Sequence, residues 1–122
     1  MNVLAAALGS ALGGVLRYAC GRLWPAAPGE WPRATLAVNL LGCFVIGASY
    51  VWMLEKPAAG DAWRVFWISG VLGGFTTWSA FALETNLMAS AGLSGRALMY
   101  AAATVCGCLL AAWAGRTLAS MF

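Results

Sequence analysis

The chain alternates between four long apolar stretches and short links of polar or turn-forming residues. The first stretch runs roughly from Val3 to Leu23. It stops at Trp24-Pro25-Ala26-Ala27-Pro28-Gly29, where two prolines and a glycine break any helix. The second runs roughly from Arg33 to Leu54 and closes at Glu55-Lys56-Pro57, ahead of the turn-like link Ala58-Ala59-Gly60-Asp61. The third begins near Ala62, reaches about Ser90 and is interrupted at Gly73-Gly74. The fourth follows a loop from Gly92 to Gly95 and runs from about Arg96 to Leu118. A bilayer-spanning helix needs about 20 mostly apolar residues. The pattern therefore predicts an all-α membrane protein of four transmembrane helices, in one domain covering residues 1–122. Trp24, Trp31, Trp52, Trp63 and Trp67 stand near segment ends, as in an interfacial aromatic belt.

Composition supports lipid as the solvent. The 122 residues are 62% hydrophobic and 9% charged, without histidine, whereas an ordinary soluble domain carries roughly 25% charged residues. So few charges cannot cover the large relative surface of a short soluble chain. This excludes a soluble monomer, a disordered chain and a nucleic-acid-binding domain. The seven Lys/Arg are scattered, so the net charge of +3 marks no polyanion site. No basic run precedes Val3, and the first segment reads as a retained helix rather than a cleaved signal. Cys20, Cys43, Cys106 and Cys108 lie in or beside apolar stretches with no histidine to join them, which argues against zinc or a disulfide framework.

The basic residues also bear on orientation. Lys56, Arg64 and Arg116 fall on one side of the predicted membrane, and Arg22, Arg33 and Arg96 on the other. A balanced tally gives the positive-inside rule nothing to act on. So small a count also balances by chance; the sharper expectation is dual topology, each chain pairing with an inverted copy. Gly9 and Gly13, and Gly70 and Gly74, have the spacing that lets membrane helices approach closely.

Polar groups within the spans carry the most information, because each is costly in hydrocarbon. Thr35, Asn39 and Cys43 recur every four residues and share one helix face, as do Tyr100, Thr104 and Cys108. Interhelical hydrogen bonding accounts for threonine and cysteine there. The amide of Asn39 also offers two donors to an anion. In the third segment, Gly73-Gly74-Phe75-Thr76-Thr77 is a poor helix propagator at mid-span. Broken membrane helices build ion sites from freed carbonyls and half-helix N-termini. Beyond it, Trp78 and Phe81 are three apart and share a face, where ring edges can line an anion path or simply pack. Arg17 stands one turn from the expected interface, free to snorkel or to set a positive potential at a vestibule. Glu84 has three open roles: pairing with arginine, sitting at a pore mouth, or relaying protons.

Three stretches, in order, resemble the Fluc (CrcB) fluoride-channel family: Gly13-Gly14-Val15-Leu16-Arg17-Tyr18, Thr35-Leu36-Ala37-Val38-Asn39-Leu40-Leu41-Gly42, and Gly73 to Phe81 with Glu84-Thr85. The resemblance implies an antiparallel dual-topology homodimer in the bacterial cytoplasmic (inner) membrane, with two pores. It implies a passive channel, not an enzyme, that lets fluoride out of the cytoplasm to relieve its toxicity. It places Asn39, Trp78, Phe81, Ser79, Tyr100 and Thr104 along the pore, and Arg17 and Glu84 at a vestibule or pore mouth. It also implies a structural sodium ion on the dimer axis, held by backbone carbonyls that map to Gly73 and Thr76. The chain departs from the family at Trp78, normally phenylalanine, at Ala80, usually threonine, and at Ala82, commonly serine; these changes bear on conduction rate rather than fold. Two alternatives stand beside this reading. One is a degenerate or structural subunit that needs a paralogous partner. The other is a proton-coupled exporter of the small multidrug resistance type, which relies on a first-helix carboxylate where this chain has Arg17.

Overall fold

The computed structural model describes residues 1–55 and 60–122, so the link expected at 56–59 lies outside the described residues. Helix α1 spans Asn2–Leu23 and α2 spans Arg33–Glu55. The third span is composite: α3 (Asp61–Arg64), a π-helical stretch (Val65–Leu72), α4 (Gly73–Phe75), two extended residues, then α5 (Trp78–Ser90). Helix α6 covers Ser94–Ala119. No strand occurs among the described residues. Four helical spans, Asn2–Leu23, Arg33–Met53, Asp61–Ser90 and Ser94–Ala119, are long and apolar enough to cross a bilayer, which makes this a multi-pass membrane protein.

The turns follow local chemistry. Pro32 accepts the first helical bond of α2, from the Leu36 N–H at 3.0 Å, where its own missing N–H costs nothing. Helix α5 ends on Gly92, whose φ of 80° is left-handed. There Gly92 N–H donates to Ala89 O at 3.1 Å and Leu93 N–H to Met88 O at 3.0 Å, the paired bonds of a Schellman close. Gly29 is also left-handed, and Arg96 Nη1 donates to its carbonyl at 2.7 Å, tying the first loop to the start of α6.

Packing relies on small residues rather than on hydrophobicity, since lipid is as apolar as the helices. Helix α1 lies along the π-helical stretch and α4, and α2 lies along α6. The spacing seen in the sequence is used as expected. A Cβ on Gly9 would stand 2.8 Å from Gly70 Cα; one on Gly13 would meet Val71 O and stand 2.7 Å from Phe75 N. On the other side, Gly47 abuts the backbone of Ala112, and Gly115 abuts that of Phe44. A buried cluster of Phe81, Met88, Ala97 and Tyr100 joins α5 to α6. Val3, Leu4, Leu8, Leu98, Leu109 and Trp113 are exposed on the outside, where lipid would cover them.

The interruption of the third span falls later than the glycines. Gly73 and Gly74 are helical; the chain unwinds at Thr76 (φ −78°, ψ 158°) and Thr77 (φ −149°, ψ 113°). Gly74 serves close approach instead, since a Cβ there would stand 2.6 Å from Ser10 O on α1. The break itself is made by partners for the threonine backbone, described below. The π-helical stretch before it was not legible in the sequence.

Overpacking of a tight contact typically costs about 1–3 kcal/mol, and at Gly13 the obstacles are backbone atoms that cannot turn aside. Gly13→Val is therefore expected to lower the thermal melting point of the detergent-purified protein by at least that equivalent. Gly21→Ala, where a Cβ meets nothing within 4 Å, is expected to leave it unchanged. Equal melting points for the two variants would refute this packing.

Candidate functional site

The break is held from across the interface by one side chain. Asn39, buried on α2, donates from Nδ2 to Thr77 O at 3.0 Å, and its Oδ1 accepts from Thr77 N–H at 2.8 Å. A single amide thus takes both backbone polar groups of an extended residue. Thr77 in turn caps α5: its Oγ1 accepts from Ala80 N–H at 3.2 Å and stands 3.4 Å from Ser79 Oγ. Thr76 Oγ1 folds back to donate to Leu72 O at 3.0 Å.

These bonds divert donors from two carbonyls. In an unbroken helix the Gly73 carbonyl would accept from Thr77 N–H, and the Thr76 carbonyl from Ala80 N–H. Here Thr77 N–H goes to Asn39 and Ala80 N–H to the Thr77 hydroxyl. Gly74 O is answered separately by Arg17 Nε at 3.1 Å, so Arg17 is tied to the break from α1.

The two polar stripes meet in register. Asn39 and Cys43 of α2, Thr104 and Cys108 of α6, and Gly73, Thr76, Thr77 and Trp78 of the third span line one groove of about 400 Å³. Asn39 has a second amide N–H beyond the one given to Thr77. Thr104 is 2% exposed, and its Oγ1 has no hydrogen-bond partner among the described residues, although the Tyr100 hydroxyl lies nearby. The groove is therefore lined by neutral polar residues from two neighbouring helices and the break.

A second group lies one turn away. Glu84 accepts from Thr35 Oγ1 at 2.7 Å and from the Tyr100 hydroxyl at 3.0 Å. Among its three open roles, arginine pairing is not what the structure shows: both carboxylate oxygens are held by hydroxyls. Glu84 and Thr35 line a separate cavity of about 560 Å³ bordered by the first loop, from Trp24 to Pro32. Tyr100, with 0% exposure, packs beside that carboxylate with its ring 6.1 Å from Trp31 and 5.5 Å from Phe81.

Trp78 and Phe81 do touch, with ring centroids 4.9 Å apart and planes tilted 56°. Their environments differ. Phe81 is 6% exposed, inside the α5–α6 cluster, whereas Trp78 is 70% exposed on the flank of the groove. Sequence reasoning passed over Thr77 as an individual residue and Thr35 as a partner for Glu84. Thr77 carried a usable signal, a threonine three residues ahead of the first free N–H of a new helix. Thr35 carried one too, since it shares a face with Asn39.

Taken as geometry, this is a polytopic membrane protein built around an interrupted helix, with neutral donors from two other helices converging on the interruption. The chain belongs to the CrcB family: the family described as CrcB-like protein, Camphor Resistance (CrcB), matches residues 4–116. It is 43% identical to the Fluoride-specific ion channel FluC of Pseudomonas fluorescens (strain Pf-5) over 98% of this chain and 97% of that protein. It is 43% identical to the protein of the same name from Azotobacter vinelandii, over 97% and 96% of the two chains. The same name belongs to a Pseudomonas syringae pv. tomato protein 41% identical over 96% and 95%.

Asn39→Ala leaves both Thr77 backbone groups without a partner, at about 1–3 kcal/mol for each unsatisfied group. The variant is expected to melt well below the parent in detergent, with Asn39→Asp intermediate because it keeps the acceptor and loses the donor. An unchanged melting point in Asn39→Ala would show the clamp to be dispensable.

Proposed function

We propose that this chain is a fluoride-selective passive channel that carries fluoride out of the cytoplasm and relieves its toxicity. The observation that carries the reading is the groove at the helix break. There Asn39 and Thr104, from two neighbouring helices, line one space with the residues of the break, in a chain 43% identical to proteins named as fluoride-specific channels. Those names do not favour a proton-coupled exporter or a structural subunit, and on this reading the chain is no enzyme.

Fluoride is small and strongly hydrated, so a dry path must replace its water with donors. Amide, hydroxyl and ring-edge donors do this in part, weakly enough at each step for the ion to leave. A full cation on the path would hold it. In the proposed route the ion passes from the mouth at Glu84 and Thr35, along Tyr100 and the Phe81 edge, to Asn39, Thr104 and Ser79. Arg17 and Glu84 act as vestibule and mouth residues. Trp78, exposed in one subunit, supplies an indole N–H toward the route or toward a second copy.

The functional unit is proposed to be an antiparallel dual-topology homodimer in the bacterial inner membrane, a reading supported by the balanced Lys/Arg tally and by the exposed face that carries Trp78. The carbonyls of Gly73 and Thr76 fit a sodium ion, because their helix donors are diverted and both residues line the groove. Such an ion would supply positive charge to offset converging carbonyl dipoles at the dimer axis.

Proteoliposomes loaded with fluoride or chloride test the function with ion-selective electrodes. Fluoride is expected to leave rapidly and chloride to stay; equal loss of both ions, or of neither, would overturn the channel reading. The sodium assignment has its own readout: the melting point in sodium buffer should exceed that in N-methylglucamine buffer of equal ionic strength. No difference between the buffers would remove the ion from the proposal.

A further inference from the structure

The third rung of the α2–α6 ladder is a pair of thiols. Cys43 and Cys108 each lie four residues, or about 6 Å along the helix axis, beyond Asn39 and Thr104. Both line the same groove, both are partly exposed, and neither is in a disulfide. The backbone contact of Gly47 with Ala112 and the seat of Leu40 against Gly107 hold the two helices together on either side of the pair. The two cysteines are therefore placed by close helix packing rather than by a mobile loop.

The surroundings select the ligand. The neighbouring wall is apolar, with Ile46, Ile68, Val105 and Leu109. Among the described residues no cluster of three or more cysteine or carboxylate side chains is present. Hard cations need several oxygens, and structural zinc needs four ligands. Two sulfurs in an apolar cleft suit a soft cation that is content with few thiolates.

We propose that Cys43 and Cys108 form a two-sulfur site for a soft cation, with Hg2+ as the probe, and that its occupancy obstructs fluoride flow. The obstruction rests on the groove being the anion path, as proposed above; the binding does not. On binding, each thiol gives its proton to solvent and each sulfur forms one bond to the metal. Two protons are released per ion and no electron is transferred. The bound cation then sits one turn from Asn39. It acts by narrowing the groove, since the two thiolates match its charge and leave the complex neutral.

The test uses the full-length protein carrying Cys20→Ser and Cys106→Ser, with intact-mass spectrometry after Hg2+ loading and a wash in dilute monothiol. The expected result is one mercury per subunit, with two protons lost and no monothiol added, since mercury held by a single sulfur would carry the monothiol as its second ligand. Adding Cys43→Ser or Cys108→Ser should abolish that species. Efflux of fluoride, taken as the ratio with and without Hg2+, should fall well below one with both thiols present and stay near one without them. Bridged mercury that survives either single substitution would overturn the site, as would its absence from the parent. Bridged mercury with undiminished fluoride efflux would overturn the obstruction. A protein that passes no fluoride in the absence of metal speaks against the channel reading alone, and the mass measurement still decides the site.

Discussion

In hydrocarbon, every backbone polar group must find its partner within the protein, and the rest of this structure depends on how that is met at Thr77. An interrupted helix exposes amides and carbonyls that water cannot reach. Asn39 resolves the worst of it with one side chain, accepting from the Thr77 N–H and donating to its carbonyl. The hydroxyl of the same threonine then starts α5. Because one residue both ends the unwound stretch and opens the next helix, the break is only two residues long. A longer break would need more side chains of the right length on the neighbouring helices, and α2 offers one amide.

The clamp also fixes where the neighbouring polar groups lie. Asn39 can reach Thr77 only if α2 lies close to the break. That closeness is provided by Gly42, where a Cβ would run into the Thr76 side chain. On its other side α2 is pressed to α6 through Gly47 and Gly115. With α2 held between the break and α6, stripes that repeat every four residues on two helices line up rung by rung. Thr35 and Tyr100 meet at Glu84, Asn39 and Thr104 line one groove, and Cys43 and Cys108 line it one turn further on. Small residues thus do more than tighten the bundle: they set the axial register in which the polar stripes meet.

Much of this was legible in the sequence because membrane constraints are severe. Span number follows from apolar length. The glycine pairs announced their contacts, and the stripes containing Asn39 and Thr104 could be read from spacing alone. What could not be read was where the third span unwinds. Gly73-Gly74 is locally the weakest helix former, yet those residues remain helical because Arg17 holds the Gly74 carbonyl and Ser10 packs over its Cα side. The unwinding went instead to the residues whose backbone had a competing partner elsewhere. Local propensity shows where a helix is cheap to break; tertiary hydrogen bonding decides where it breaks. The difference between Phe81 and Trp78 was hidden for a similar reason. Residues three apart share a helix face, but a face that straddles the edge of a cluster buries one ring and leaves the other out.

The scarcity of charge takes on a different meaning in this light. Two charged side chains lie near the break, and both are answered by neutral groups: Arg17 by a carbonyl, Glu84 by two hydroxyls. Pairing them with each other would have cancelled the charges and spent the hydroxyls of Thr35 and Tyr100 elsewhere. Kept apart, each charge organises dipoles around it, and Glu84 pulls the Tyr100 hydroxyl toward the loop side. Thr104, four residues along the same helix face, is buried with its hydroxyl near that of Tyr100. The Glu84 carboxylate and the buried Thr104 hydroxyl are thus both neighbours of Tyr100. The charge fixes the orientation of the Tyr100 hydroxyl on α6 and the Thr35 hydroxyl on α2, so one carboxylate orders polar groups on two helices at once.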